Sequence, residues 1–218
     1  MRHNEAMTLL SPVSPRVDGD PIHADFSVAV TVDTTQLPWQ PSPSLGVERR
    51  RLEWVGTEPA TQLTTVVRFA PGSSFSAHTH DNGGVIVVLS GVFSDHHGDH
   101  VQGSYLRNPP GSRHAPHTTP GCLLLVKLRQ FQAGDQARVA LPIQAAEALV
   151  PHESWPACWV RPLHAWGDER VYGLKLAPNG PTIAASCSLG SQPVGINRAV
   201  RRPQAMNAPM FGITMPAR

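Results

Sequence analysis

The chain has 218 residues, of which 16% are charged, with 18 Lys and Arg against 16 Asp and Glu for a formal net charge of +2. Charge this sparse and balanced argues against a polyanion-binding surface, so no nucleic-acid partner is expected. The length is enough to bury a core in one large or two small domains, and 22 Pro and 18 Gly with few helical patterns point to short strands and many turns, an all-β fold.

In chain order, residues 1–24 are polar and rich in Pro and Gly, and form an expected loose N-terminal arm. Phe26 to Val32 alternates apolar and small polar residues, as a strand does. Leu37 to Gly46 is a proline-rich connector carrying Trp39. Strands are then expected over 49–55, 61–70, 84–90, 91–95, 101–106, 112–117, 122–131 and 136–141. Together these make a domain over 25–141, and strands at this spacing suit a double-sheet jelly roll. Val85-Ile86-Val87-Val88-Leu89 is continuously apolar and should be buried on both faces, and Leu123 to Val126 reads the same way. Residues 142–181 look like a partial second copy of the same unit. Gln144 to Leu149 could give a helical turn or two, Cys158 to His164 and Arg170 to Ala177 two strands, and Gly173-Leu174-Lys175-Leu176-Ala177-Pro178 echoes Val66-Val67-Arg68-Phe69-Ala70-Pro71. The tail over 182–218 lacks sustained periodicity and is expected to be a degenerate half-copy followed by poorly ordered residues. A disordered tail or a late frameshift are the competing readings.

Cys122, Cys158 and Cys187 are far apart and odd in number, which fits a reducing compartment. Met7 to Val13 is too short and proline-interrupted for a secretory segment, and no apolar run approaches membrane-spanning length. A cytoplasmic location without membrane contact is the expectation.

The chemistry concentrates between Gly72 and His114. One motif reads Gly72, five residues, His78-Thr79-His80, three residues, Gly84, six residues, Gly91; a second reads Gly103, five residues, Pro109, one residue, Gly111, two residues, His114. Side chains at i and i+2 of a strand share a face, so His78 and His80 project together, and His114 can join them from a strand folded alongside. Three imidazoles on one face suit a divalent transition metal, Zn or Fe(II).

These spacings resemble the two signature motifs of the cupin family. The intervening blocks Gly91-Val92-Phe93-Ser94-Asp95, Arg107-Asn108-Pro109-Pro110-Gly111-Ser112-Arg113-His114-Ala115-Pro116, Gly121-Cys122 and Val126-Lys127-Leu128-Arg129 are similar to the sensory cupins of ChrR-type anti-sigma factors and their stand-alone relatives. The resemblance covers roughly residues 40–135 and implies a jelly-roll barrel with His78, His80 and His114 as metal ligands. It also implies a glutamate ligand at position 84 and an asparagine four residues after the last histidine, where this chain has Gly84 and Thr118. Asp81 and Asn82 lie close enough in sequence to be weak substitutes for the missing ligand.

Tyr105, Arg107 and Arg113 are the candidates for a small-molecule pocket at the barrel mouth. The histidines at 96, 97 and 100 suit a solvated turn, His117 should face away from His114, His164 should pack locally, and Cys122 should be a small buried hydrophobe. The expected function is that of a metal-binding cupin with an unidentified small ligand, resembling the ChrR-type sensors. The alternatives are a three-histidine Fe(II) dioxygenase of the β-diketone-cleaving type and a metal-free structural remnant. The sigma-factor grip of that resemblance needs a His-x3-Cys-x2-Cys pattern, which is absent, so no sigma-factor partner is expected. Pairing through open edge strands makes a homodimer the expected assembly.

Overall fold

A computed structural model describes residues 20–25, 30, 32–57, 61–143, 149–151, 158–176, 184–185, 198–199 and 211–214. Among these, a short 3-10 turn at Thr34–Gln36, capped by the Asp33 carboxylate accepting from Thr35 N–H, is the only helical element. The strands as far as Pro142 are β1 (Gln40–Pro41), β2 (Val47–Val55), β3 (Gln62–Phe69), β4 (His78–Thr79), β5 (Gly84–Asp95), β6 (Gly98–Val101), β7 (Ser104–Asn108), β8 (Arg113–His114), β9 (Cys122–Leu128) and β10 (Val139–Pro142). They pair antiparallel in the order β1-β2-β3-β9-β5-β7-β10, with β6 hairpinned onto β5 and β4 paired with β8. The result is a jelly-roll barrel.

Alternation decides what this barrel encloses. Phe69, Ile86, Val88, Phe93, Leu106 and Leu124 are among the residues that pack as one buried cluster inside. Their neighbours Val85, Val87 and Tyr105 form a second cluster on the outer face. The continuous apolar run is therefore buried on both sides, with Val85 to Val88 between 1% and 7% exposed. Over 123–126 only Leu124 is fully buried.

The outer face is covered by a second sheet, β11 (Val150–Pro151), β12 (Cys158–Trp166), β13 (Glu169–Leu176) and β16 (Phe211–Thr214), in that order. Two further short strands, β14 (Ala184–Ala185) and β15 (Arg198–Ala199), pair with each other. Leu163 of β12 and Val171 of β13 pack against Val85, Val87 and Tyr105, together with Phe131 and Ile143. Within the tail expected to be poorly ordered, Phe211–Thr214 pairs antiparallel with Tyr172–Lys175. A four-residue strand containing Gly212 is too short to give a periodic signal in sequence.

Three sequence expectations change, the first being the strand expected over 101–106, which a turn at Gln102 and Gly103 divides between β6 and β7. The strands expected over 84–90 and 91–95 are one strand, β5, carried through an irregularity between Val88 and Ser90. Gly91 sits there at φ +75°, where a Cβ would lie 2.0 Å from the Gly121 carbonyl oxygen, so this motif glycine admits no side chain. The strand expected over 112–117 shrinks to Arg113–His114, with His117 making only isolated bridges to Ser74 and Ser94. The strand expected at Phe26 to Val32 and the turn expected at Gln144 to Leu149 fall largely outside the described residues. No helix among the described residues is long and apolar enough to cross a membrane.

Candidate metal centre

The β4–β8 ladder puts His78 directly opposite His114. Directly opposed residues of an antiparallel pair project from the same face, and His80 shares that face by alternation. His80 is anchored by two further backbone bonds, its N–H to the Ser112 carbonyl at 2.9 Å and its carbonyl from Gly111 N–H at 2.8 Å. The Pro-Pro-Gly turn of the second motif thus holds the histidine of the first. The ring centroids form a near-equilateral triangle, with sides of 5.0, 4.8 and 4.8 Å. One nitrogen from each ring lies within 4.8 Å of the others.

Hydrogen bonds orient the rings. A carbonyl only accepts, so His78 Nδ1, 2.9 Å from the Ser76 carbonyl oxygen, carries its proton and leaves Nε2 bare. His114 Nδ1 donates to the Asp95 carboxylate at 3.1 Å with the same consequence. His80 Nε2 stands 2.9 Å from His114 Nε2. Two nitrogens on one ion, each at about 2.1 Å and at right angles, would be about 3.0 Å apart, so this spacing suits adjacent ligands. Burial, with His114 and His78 nearby, lowers His80 to about 4; burial also lowers His78, partly offset by its bond to Ser76. Both rings are therefore neutral at physiological pH, the form that binds metal.

The triad forms one wall of a cavity of about 150 Å³ inside the barrel. Most of its lining is apolar, including Phe69, Phe75, Ile86, Phe93 and Leu124, while Arg49, Thr65 and Ser42 add polar groups. Tyr105, Arg107 and Arg113, expected to line the pocket, are not part of this wall. Leu106 is the residue of β7 that faces the interior, so Tyr105 and Arg107 on either side of it face outwards. There the buried Arg107 bonds Asp135 at 2.5 Å and Glu169 of β13 at 3.0 Å. Burial pushes the Tyr105 hydroxyl up to about 12. Arg113 is exposed at the ladder edge. Arginine between two strands of apolar residues gives no sign in sequence of which face it takes.

The other expectations separate cleanly. His96, His97 and His117 are exposed, whereas His100, also expected in the solvated turn, lies half-buried on β6 with its ring stacked on Phe93; Asp81 and Asn82 lie exposed on the loop, Asn82 donating to the Arg129 carbonyl at 3.4 Å. Thr118 ties down the Val92 carbonyl and the Gly121 N–H through its hydroxyl. Cys122 is buried, and its thiol is pushed up to about 11 by that burial. His164, expected to bond locally, instead reaches Asp135 at 2.9 Å, far away in sequence. Asp95, the last residue of the strand expected over 91–95, is buried at the end of β5. Its role beside His114 depends on a pairing that no local pattern encodes.

Residues 27–132 match the family described as the ChrR cupin-like domain. They form a ChrR-like cupin domain. Among solved structures, a proposed dioxygenase of Nostoc punctiforme PCC 73102 is similar at TM-score 0.53 and 15% identity, over 67% of this chain and 60% of that one. A structure of Rhodobacter sphaeroides SigE in complex with the anti-sigma ChrR is similar at TM-score 0.37 and 19% identity, over 43% of this chain and 50% of that one. A proposed acetylacetone dioxygenase of Methylibium petroleiphilum PM1 is similar at TM-score 0.41 and 18% identity, over 61% of this chain and 93% of that one. At such identities the likeness is one of fold. This cupin-bearing chain spans half the length of the chain it matches in the SigE–ChrR structure. No curated protein matches it in sequence.

Proposed function

We propose that this cupin holds one divalent transition metal through Nε2 of His78, His80 and His114, and takes a small, largely apolar ligand in the adjoining cavity. The observation that supports it best is the tautomer arrangement. Nδ1 of His78 and of His114 is tied outwards to Ser76 and Asp95, so both bare Nε2 atoms face a common point with His80. When bound, such a metal supplies a Lewis-acid centre with positions left for an oxygen donor, because Gly84 offers no ligand. The chain's own residues orient the rings, exclude water with apolar walls, and admit the ligand from the cavity side. The reading closest to the ChrR-like family is a binding module that reports its ligand.

The test is metal content of protein purified without a histidine tag. About one zinc per chain is expected for the binding module. H114A should abolish that content, whereas H117A should retain it, because the His117 ring is exposed and off the triad's face. Equal metal in the two variants would sink the assignment. A second reading is an Fe(II) dioxygenase. It is favoured by the absence of a carboxylate at position 84 and by the right-angle spacing of His80 and His114, which together leave several coordination positions to substrate and oxygen. Iron in the isolated protein, with oxygen consumed when a β-diketone is added, would select it over the sensor.

A further inference from the structure

Strand β5 reaches the triad at both of its ends. At its start, a Cβ on Gly84 would lie 3.0 Å from Cε1 and Nδ1 of His80. At its finish, Asp95 Oδ2 accepts from His114 Nδ1 at 3.1 Å. The bend at Gly91 lets one strand do both. The first contact carries no charge and the second carries a full one. The Asp95 side chain is only 2% exposed, and its Oδ1 accepts from the His97 N–H at 2.8 Å, with His100 Nε2 at 3.7 Å. We propose that Asp95, acting through the His114 ring, supplies the negative charge that position 84 lacks, and so sets the strength with which the site holds its metal.

The proposal rests on the metal reading above. Three neutral imidazoles leave a divalent ion with its whole charge inside an apolar barrel, an expensive arrangement without a nearby anion. A carboxylate accepting the far N–H of a ligating imidazole raises the basicity of the nitrogen on the metal and spreads the charge across the ring. It also fixes the tautomer. Each Asp95 oxygen has its own N–H donor, Oδ2 from the His114 ring and Oδ1 from the His97 backbone, which fixes the carboxylate beside His114. Asp95 is thus a positioning residue, since it would act only through His114.

Zinc affinity measured by chelator competition separates charge from orientation. D95N keeps one oxygen to accept from His114 while its NH2 group meets the His97 N–H, so it removes the charge and the bond from His97 but leaves the His114 ring an acceptor. It should bind zinc about 10–100-fold more weakly than the wild type, the range for lost partners of ligating histidines. Adding G84E to D95N should recover much of that loss by returning an anion to the site. Affinity of D95N within twofold of wild type would overturn the proposal. If D95N fails to fold, the zinc-loaded wild type decides by histidine NMR. The His114 Nδ1–H proton, held by a carboxylate, should then resonate well downfield of the His78 Nδ1–H, held by a neutral carbonyl. Coincident resonances would overturn it. A wild type that binds no zinc would instead defeat the metal reading itself, so the two failures are distinct.

Discussion

Position 84 limits how many protein atoms a bound metal could meet. Its φ lies outside the left-handed region, so a side chain is allowed by the backbone, and an added Cβ would point at the His80 ring. The fit is tight, since the same Cβ would be 3.0 Å from Leu128 Cδ2, and both neighbours would have to yield by a few tenths of an ångström. Gly84→Glu should therefore do two opposite things. It should strengthen zinc binding by about tenfold through an anionic fourth ligand, and it should weaken the metal-free fold by about 1 kcal/mol through crowding. Chelator titration reads the first and denaturant unfolding without metal reads the second. Unchanged affinity would mean that another group already fills the position. The clustering of His78, His80 and His114 was legible in the sequence because motif spacing and strand alternation are local rules. Asp95 was not legible, because a residue's value to His114 depends on how a twelve-residue strand curls, and that is set by the Gly91–Gly121 contact.

At the scale of elements, the outer face of β5 and β7 is joined to the β12–β13 hairpin by a buried polar latch. Arg107 is 1% exposed and pairs with Asp135 and Glu169, while its guanidinium also lies 4.2 Å above the Phe131 ring. Asp135 in turn accepts from His164 Nε2 and from Ala137 N–H. Sequence reasoning located these strands but gave Tyr105 and Arg107 to the pocket. Both faces of β7 are buried, and the residues that answer Arg107 come 28 and 62 positions later. Removing the arginine takes from Asp135 and Glu169 the positive charge that both carboxylates pair with. Arg107→Ala should cost about 3–5 kcal/mol in denaturant unfolding, the usual result of orphaning a buried charge. Zinc affinity of the folded fraction should stay within about twofold, since the triad lies on the other side of the sheet. A loss of affinity comparable to that of D95N would instead restore Arg107 to the pocket.

Across the whole molecule, the buried histidines tie stability to pH with a definite sign. A histidine in the unfolded chain takes up a proton near 6.5, whereas His80 in the fold does so only near 4. Between those values the unfolded chain holds the extra proton, so stability is full above 6.5 and falls as pH drops towards 4. His78 is shifted in the same direction. The His80 contribution amounts to about 3.5 kcal/mol at most, since each tenfold change in proton affinity is worth about 1.4 kcal/mol. Asp95 and Asp135 are also lowered, but from an ordinary value of 3.8, so their share of the loss falls below this window. The range from pH 6.5 to 4.5 therefore isolates the histidines. Metal-free wild type should lose stability steadily across it, and a loaded protein should lose more steeply, because protonation also competes with the metal for the same nitrogens. His80→Gln, which cannot charge, should show a visibly flatter curve in urea unfolding at matched pH values. Parallel curves for the two proteins would mean that His80 ionises in the fold as freely as in the unfolded chain, and that the triad is wetter than its burial implies.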